Sequence, residues 1–237
     1  MVLTGTIVNS AAVAGGTVVG LVFKRGLKEN VREITNQGLG LSVLFIGIST
    51  TLSGLLNPES KPLLFIISLV LGGVLGELWK IEYRLEKLGD RLKDRMGEGH
   101  GKVSEAFVTA TLIYCVGSMT ILGSLQSGLE NRHDILYAKS ILDGICSVIL
   151  ASSLGIGVIF SALAVLVYQG ALSLLASFIG PYATEEIIRE IGIVGGIMIF
   201  SIGINILELK RIRTGNFLPA LLIPPVWLVF LQLTGKA

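Results

Sequence analysis

Two ionisable residues, Lys139 and Asp143, stand four positions apart inside a run of apolar residues. Four positions is about one helical turn, so the ammonium and the carboxylate can pair along one helix surface. Charged groups at membrane depth are costly, and they usually face protein or water on a path for ions or protons. This carboxylate could therefore bind a cation or a proton. A structural ion pair, with Lys139 reaching towards the headgroups, is the alternative.

Five further polar side chains fall in or beside apolar segments and are candidates for the same path. They are Asn9, Gln169, Asn205, Ser118 and Gln126. Amides and hydroxyls in membrane helices can line a route for a solute, and interhelical hydrogen bonds are their common alternative role. Together with Lys139 and Asp143, these residues form the predicted substrate or ion pathway.

The other reactive residue types indicate neither enzymatic nor metal chemistry. Cys115 and Cys146 lie in apolar runs, as small packing residues do. His100 and His133 have no neighbours spaced like metal ligands. No phosphate-binding loop, zinc-protease pair or nucleophile elbow is present in the sequence. We therefore expect no enzyme activity, no cofactor, no metal and no nucleic-acid partner.

The elements that must position these residues are membrane helices. Hydrophobic residues make up 51% of the chain and charged residues only 15%, and the mean hydropathy is +0.76. A soluble protein has roughly a quarter of its residues charged. A bilayer core about 30 Å thick needs about 20 apolar residues of helix. The segments that meet this requirement are 4–23, 37–56, 62–79, 105–127, 135–153, 157–179, 191–208 and 216–233. The sequence thus predicts an all-α polytopic transmembrane helix bundle of about eight spans, within one integral membrane domain covering 1–237.

The basic residues predict the orientation of these spans. The loops after the first, third and seventh spans hold fourteen Lys and Arg residues, whereas the loops and ends on the other side hold four. Cytoplasmic loops carry the excess of Lys and Arg. We therefore expect both termini outside the cytoplasm of a prokaryotic cell, in its inner membrane.

The two ends of the chain resemble each other. Asn9 aligns with Gln169, Gly40 with Gly196, and Ile46–Ser49 with Ile202–Asn205. The first three spans (4–79) would then repeat as the last three (157–233) with inverted direction, and 105–153 would be an inserted two-helix hairpin. Such 3+3 repeats place a substrate site at their interface near the bilayer midplane. Chance similarity between glycine- and isoleucine-rich segments is the alternative.

Four other features concern helix shape and partners. Residues 80–97 have apolar positions at helical spacing among charges, which fits a helix extending the third span or lying on the headgroups, or a short coiled-coil contact. Pro224–Pro225 predicts a kink or break in the last span. Glu77 beside Trp79 is typical of an interfacial anchor. Pairs of small residues four apart favour close helix packing and make a homodimer plausible.

Several runs of residues carry a resemblance to a known family. They are 114–129 (YCVGSMTILGSLQSGL), 139–144 (KSILDG), 168–170 (YQG) and 215–220 (GNFLPA). In these runs the chain resembles the YdfK/YqgA family of bacterial inner-membrane proteins, a domain of unknown function. A proline often follows the glycine in that pattern where this chain has Ser118, so the resemblance implies a softer break in the fourth span. It implies no substrate.

These features together favour a small-solute or ion transporter or channel of the inner membrane, with an unknown substrate and a site at the repeat interface. The alternative hypothesis is a membrane interaction protein that transports nothing and binds a partner through helix 80–97.

Overall fold

The computed structural model describes residues 1–24, 29–85, 87, 103–115 and 118–233, and within them the chain is helical. The helices are α1 (Thr4–Lys24), α2 (Glu29–Leu55), α3 (Pro62–Leu78), α4 (Val103–Cys115), α5 (Ser118–Glu130), α6 (Asp134–Leu154), α7 (Ile159–Leu174), α8 (Glu185–Ile206) and α9 (Ile223–Leu233). One further turn, Ala176–Ile179, follows α7. The 3₁₀ helices are Ile156–Val158, Gly180–Tyr182 and Thr214–Leu222.

Six of the helical segments in the described residues are long and apolar enough to cross a membrane. A seventh is obtained if α4 and α5 are taken together as one broken span. The helix at the third predicted segment, α3, has 17 residues and is shorter than each of these six segments. Large apolar side chains such as Leu163, Val167 and Phe178 are more than 60% exposed, as lipid-facing residues are. The chain is therefore a polytopic α-helical membrane protein.

The fourth predicted span, 105–127, is not continuous. Helices α4 and α5 are bent by 60° relative to each other, although Ser118 stands where the family pattern often has proline. The hydroxyl of Thr120 donates a 2.7 Å hydrogen bond to the carbonyl oxygen of Tyr114. A carbonyl freed at the end of α4 thus finds a donor from the following helix, which is how a break within a membrane helix is tolerated.

The last predicted span changes from a 3₁₀ helix to an α-helix just before Pro224–Pro225. Residues Thr214–Leu222 form a 3₁₀ helix that contains Pro219, and α9 begins at Ile223. The two prolines therefore occupy the first turn of an α-helix. The N–H groups of that turn have no partner within the helix, so proline costs little there.

By its internal contacts the chain divides into two units, Met1–Leu39 with Leu85–Ile179 (unit 1) and Gly40–Arg84 with Gly180–Ala237 (unit 2). In unit 1, α1 runs parallel to α6. The pairs of residues that touch along this contact are Gly5 with Leu136, Gly16 with Gly144, and Gly20 with Val148. A side chain at Gly16 or Gly20 would overlap a backbone carbonyl of α6, so these glycines set the close approach.

Helix α7 runs antiparallel to α1 within unit 1. The hydroxyl of Ser10 donates a 2.8 Å hydrogen bond to the carbonyl oxygen of Ala162. Leu3, the residue before α1 begins, lies beside Gly170. Helix α1 therefore contacts both α6 and α7.

In unit 2, two pairs of antiparallel helices pack through small residues. On α2 and α8 the touching pairs are Gly40 with Leu207, Leu44 with Gly203, Gly47 with Phe200, and Thr51 with Gly196. Helix α3 packs against the last predicted span in the same way, with Gly72 beside Ala220 and Gly76 beside Asn216. Near the start of α3, Leu64 forms an apolar cluster with Ile187 and Leu228.

The predicted cytoplasmic helix 80–97 lies mostly outside the described residues. Residues 81–85 are helical.

Candidate functional site

The predicted pair Lys139 and Asp143 is formed, and it is buried inside unit 1. The two side chains make an ion pair along α6, and the residues are 5% and 6% exposed. Asn9 of α1 donates a 3.0 Å hydrogen bond from Nδ2 to the same carboxylate oxygen, Oδ2 of Asp143. One oxygen therefore accepts from both the ammonium and the amide. The glycine-mediated contact between α1 and α6 is what brings Asn9 within reach.

Two further residues complete this cluster. The ammonium of Lys139 lies 5.8 Å from the ring centroid of Tyr114, within range of a cation–π interaction. The hydroxyls of Tyr114 and Ser147 are 2.7 Å apart. Because the Ser147 hydroxyl donates to the carbonyl oxygen of Asp143, Tyr114 is the donor to Ser147. Tyr114 is the penultimate residue of α4, so the break between α4 and α5 lies beside the ion pair.

The charges of this cluster nearly balance. A buried carboxylate that accepts from an ammonium and an amide forms charge-assisted hydrogen bonds with both donors. A cation or a proton that reached Asp143 would replace Lys139 as the neutralising group. The ammonium would then lose its partner in a low-dielectric environment, where an unpaired charge is costly. Displacement of Lys139 from Asp143 therefore costs free energy unless the ammonium gains another partner.

Gln169, the residue that aligns with Asn9, is also buried, but it is not part of this hydrogen-bonded cluster. Its side chain is 0% exposed, and neither Oε1 nor Nε2 has a hydrogen-bond partner. Asn9 Oδ1 and Gln126 Oε1 are likewise buried without a partner. Four buried hydroxyls of unit 1 share this property, those of Thr6, Ser124, Ser153 and Ser173. Unit 1 thus contains a group of unpaired polar atoms besides the ion pair.

The remaining predicted pathway residues are placed elsewhere. Asn205 belongs to unit 2, where its amide bonds both the N–H and the carbonyl of Ile212, at 2.7 and 2.8 Å. It closes the loop after α8. The side chain of Ser118 lies outside the described part of the chain.

Glu77, interpreted from the sequence as an interfacial anchor, makes specific contacts within unit 2. Its two oxygens accept 2.7 Å hydrogen bonds from Arg213 and from Asn216. Glu77 therefore ties the end of α3 to the segment before the last predicted span.

Several residues of the site were missed by sequence reasoning. Ser147 follows Asp143 by four residues, as Asp143 follows Lys139, so the spacing alone could have identified it. Tyr114 was noticed only as part of the family resemblance. Thr6 and Ser173 carry no such signal, because hydroxyls in membrane helices usually bond their own backbone.

Comparison with known proteins places the chain in a family. Residues 4–229 match the family described as "Protein of unknown function (DUF554)". The chain belongs to this family.

Two curated members of the family align over almost their whole length. "Uncharacterized membrane protein YdfK" of Bacillus subtilis (strain 168) is 37% identical over 232 residues, which are 98% of each chain. "Uncharacterized protein YqgA" of Escherichia coli (strain K12) is 28% identical over 224 residues, which are 92% of this chain and 93% of the relative. The resemblance inferred from the sequence is confirmed. No solved structure matches the chain.

Proposed function

We propose that this protein is a transporter or channel for a small solute or ion, located in the inner membrane of a prokaryotic cell. The observation that carries the proposal is the buried cluster of Lys139, Asp143 and Asn9 beside a broken helix. Stability alone gives little reason for such a pair, because apolar residues of similar volume are as stable or more so. Ionisable groups inside membrane helices mark ion and substrate paths.

We further propose eight spans with both termini outside the cytoplasm. The six long helices, the broken pair α4–α5 and the shorter α3 supply eight apolar segments in chain order. The first and fifth of these, α1 and α6, run parallel, and the sixth, α7, runs opposite to α1. If successive spans cross the membrane in opposite directions, the first and fifth spans run the same way and the sixth runs the other way, as these helices do. The excess of basic residues after odd-numbered spans then sets the cytoplasmic side.

The proposed inverted repeat is supported by the contact positions on α2 and α8. The residues of α2 at this contact are 40, 44, 47 and 51, and those of α8 are 196, 200, 203 and 207. Adding 156 to each α2 position gives the α8 position, and this is the offset at which Gly40 aligns with Gly196. Aligned residues therefore use the same helix face. In unit 1, the aligned pair Asn9 and Gln169 is buried at 0% exposure on the antiparallel helices α1 and α7.

In this proposal Lys139 is the resident counter-ion of Asp143. A coupling ion or proton displaces the ammonium from Asp143. This displacement also affects the hydrogen bond of Asn9, because Asn9 donates to the same carboxylate oxygen. Tyr114 connects the change to the end of α4, where the helix is already interrupted. Discontinuous helices at the midplane form substrate sites in many secondary transporters.

The test is flux through proteoliposomes containing the wild type or Asp143→Asn. Entry of Na⁺, K⁺, protons and a set of labelled small solutes is measured with and without a membrane potential. We expect at least one of these to enter faster than in protein-free liposomes, and its rate to fall at least tenfold in Asp143→Asn.

The control is Asp134→Asn, which makes the same change on the same helix at an exposed carboxylate paired with Arg132. It should leave the flux unchanged. Equal flux in the wild type and Asp143→Asn would refute the role of the pair, and no flux above that of empty liposomes would refute transport.

A further inference from the structure

We infer that the ion handled by the buried pair is a proton and not a metal cation. Asp143 takes a proton up and Lys139 gives a proton off, so the two residues form a proton relay one helical turn long. The inference rests on the proposed transport function and names the ion that its site handles.

The first support is the tight packing around the pair. Lys139 and Asp143 are 5% and 6% exposed, and Asn9, Tyr114 and Ser147 beside them are 0% exposed. Side chains buried to this degree leave no room for a further ion with its ligands. A calcium ion takes about six to eight oxygen ligands, and potassium in a channel exchanges its hydration shell for carbonyl oxygens. A proton needs one acceptor atom and almost no volume.

The second support is that the polar groups around the carboxylate present hydrogen atoms and not lone pairs. Oδ2 of Asp143 accepts from the ammonium of Lys139 and, at 3.0 Å, from Nδ2 of Asn9. The Ser147 hydroxyl donates to the backbone carbonyl of Asp143 and accepts from Tyr114. Asn9 would have to turn its amide over to offer Oδ1 to a metal ion, and Asp143 would then lose a donor. The described residues contain no group of three or more His, Cys, Asp and Glu that could hold a metal ion.

The third support is that Lys139 and Asp143 stand apart from other charges. The other titratable groups near the pair are a phenol and two thiols, those of Tyr114, Cys115 and Cys146. Phenols and thiols are neutral at pH 7. Helices α1 and α5, which pack against α6, each have an ionisable residue only at their last position. Helix α4 has its one charged residue, Glu105, in its first turn, more than two turns before Tyr114. The carboxylate of Asp143 is therefore the charged acceptor for a proton at this level.

A proton can pass through the pair without leaving a charge behind. When a proton reaches Asp143, an O–H bond forms and the pair gains one positive charge. The ammonium of Lys139 is then unpaired in a low-dielectric environment, which is costly. Release of one proton breaks an N–H bond at Nζ and makes the pair neutral again, and buried lysines serve as general bases in enzymes in this way.

Transfer of the carboxyl proton to the neutral amine then restores the ion pair. This transfer takes place along the hydrogen bond that already joins Nζ to Oδ2. One proton has entered and one has left. A metal cation at Asp143 has no such sequence available, because the amine nitrogen exchanges only a proton.

The first measurement is infrared difference spectroscopy of the purified protein in lipid. The protein is perfused with buffers of falling pH and, at fixed pH, with lithium, sodium, potassium, magnesium or calcium chloride. We expect acidification to add the carbonyl band of a protonated carboxyl shielded from water, and this band to be missing in Asp143→Asn. Asp134→Asn, at the exposed carboxylate of the same helix, is the matched control and should retain the band. The metal salts should cause no change that depends on Asp143.

The second measurement is proton entry into proteoliposomes, driven by a potassium diffusion potential and followed with an internal pH-sensitive dye. It compares the wild type with Lys139→Arg, which keeps a positive charge beside Asp143. We expect proton entry to fall about tenfold or more in Lys139→Arg, because arginine is not deprotonated in proteins. Asp134→Asn should leave proton entry unchanged. The infrared measurement needs no change at Lys139, so it decides even if Lys139→Arg does not fold.

Three results would overturn the inference. An Asp143-dependent change with a metal salt would make Asp143 a cation site, and transport itself would stand. The absence of an Asp143-dependent carboxyl band, over the pH range in which the protein stays folded, would show that Asp143 takes up no proton. Wild-type proton entry in Lys139→Arg would limit Lys139 to the role of a counter-ion. The flux assay with other ions and solutes on Asp143→Asn decides the proposed transport function independently of all three.

Discussion

Removal of the Asp143 carboxylate should leave a buried ammonium without its counter-ion. Lys139 and Asp143 are 5% and 6% exposed, so water screens neither group. Breaking a buried pair by removing one partner costs about 3–5 kcal/mol of unfolding free energy. In Asp143→Ala the amide of Asn9 also loses its acceptor, which favours the upper end of that range.

The double variant Lys139→Met/Asp143→Leu should recover most of this loss. Replacing both charges with apolar groups removes the unpaired ammonium and leaves only the amide of Asn9 without its acceptor. We expect it to lie within about 2 kcal/mol of the wild type, so the coupling energy between the two positions should be at least about 4 kcal/mol.

The measurement is reversible unfolding in mixed micelles, followed by circular dichroism. It compares the wild type, the single variants Lys139→Met and Asp143→Leu, and the double variant. For a chain of this size the single variants should melt about 6–20 °C lower. Asp134→Ala is the control, because its exposed pair with Arg132 should contribute less than about 1 kcal/mol. The reasoning is refuted if each single variant costs less than about 1 kcal/mol and the two costs add. Lys139 would then reach the headgroups by itself.

Three further perturbations test the packing and hydrogen bonds around this framework by the same unfolding measurement. Gly16→Ala should lower the unfolding free energy by about 1–3 kcal/mol, because its Cβ would overlap a carbonyl of α6. Gly15→Ala is the control and should be neutral, because its Cβ would meet nothing within 4 Å. Equal effects of the two variants would contradict the contact. Glu190→Ala should cost about 1.5–3 kcal/mol, because the buried carboxylate accepts from a backbone N–H of unit 2, and Glu190→Gln should retain that bond and cost less. Tyr114→Phe should cost about 1 kcal/mol through loss of the 2.7 Å bond to Ser147, and an unchanged stability would argue against that bond.

The helical spans could be predicted from the sequence because membrane helices must satisfy all their backbone hydrogen bonds internally. Because of that constraint, the length and apolarity of a segment indicate where a span lies in the sequence. The spacing of Lys139 and Asp143 predicted their pairing for a similar reason, since residues four apart meet on any helix. Both predictions depend on local geometry alone.

The breaks in helices were harder to place. Pro224–Pro225 suggested an interruption at these two residues, but a proline costs a helix nothing in its first turn, and the 3₁₀ segment ends just before them. The break beside Tyr114 contains no proline in the described helices that flank it. The resemblance to the family implied a softer break at Ser118, and the 60° bend between α4 and α5 lies beside that residue.

The identity of the unpaired groups could not be predicted for a related reason. A serine in a helix bonds its own backbone or points at a neighbour according to how the helices pack, and Ser161 and Ser173 look alike in the sequence. Gln169 was singled out because it aligns with Asn9 in the proposed repeat, and not by any local spacing. Glu190 was missed because a carboxylate near a predicted helix end looks like a surface residue, whereas here it is fully buried.

Buried polar and charged groups are used differently in the two units. In the described part of unit 2, the amides of Asn205 and Asn216 close loops, and Glu77 joins two segments through short hydrogen bonds. The ion pair of Lys139 and Asp143 belongs to unit 1 and is buried there. Buried polar atoms without a hydrogen-bond partner occur in both units, so they do not distinguish one unit from the other. Because stability alone gives little reason for a buried ion pair, the pair is what favours unit 1 for the first test of transport.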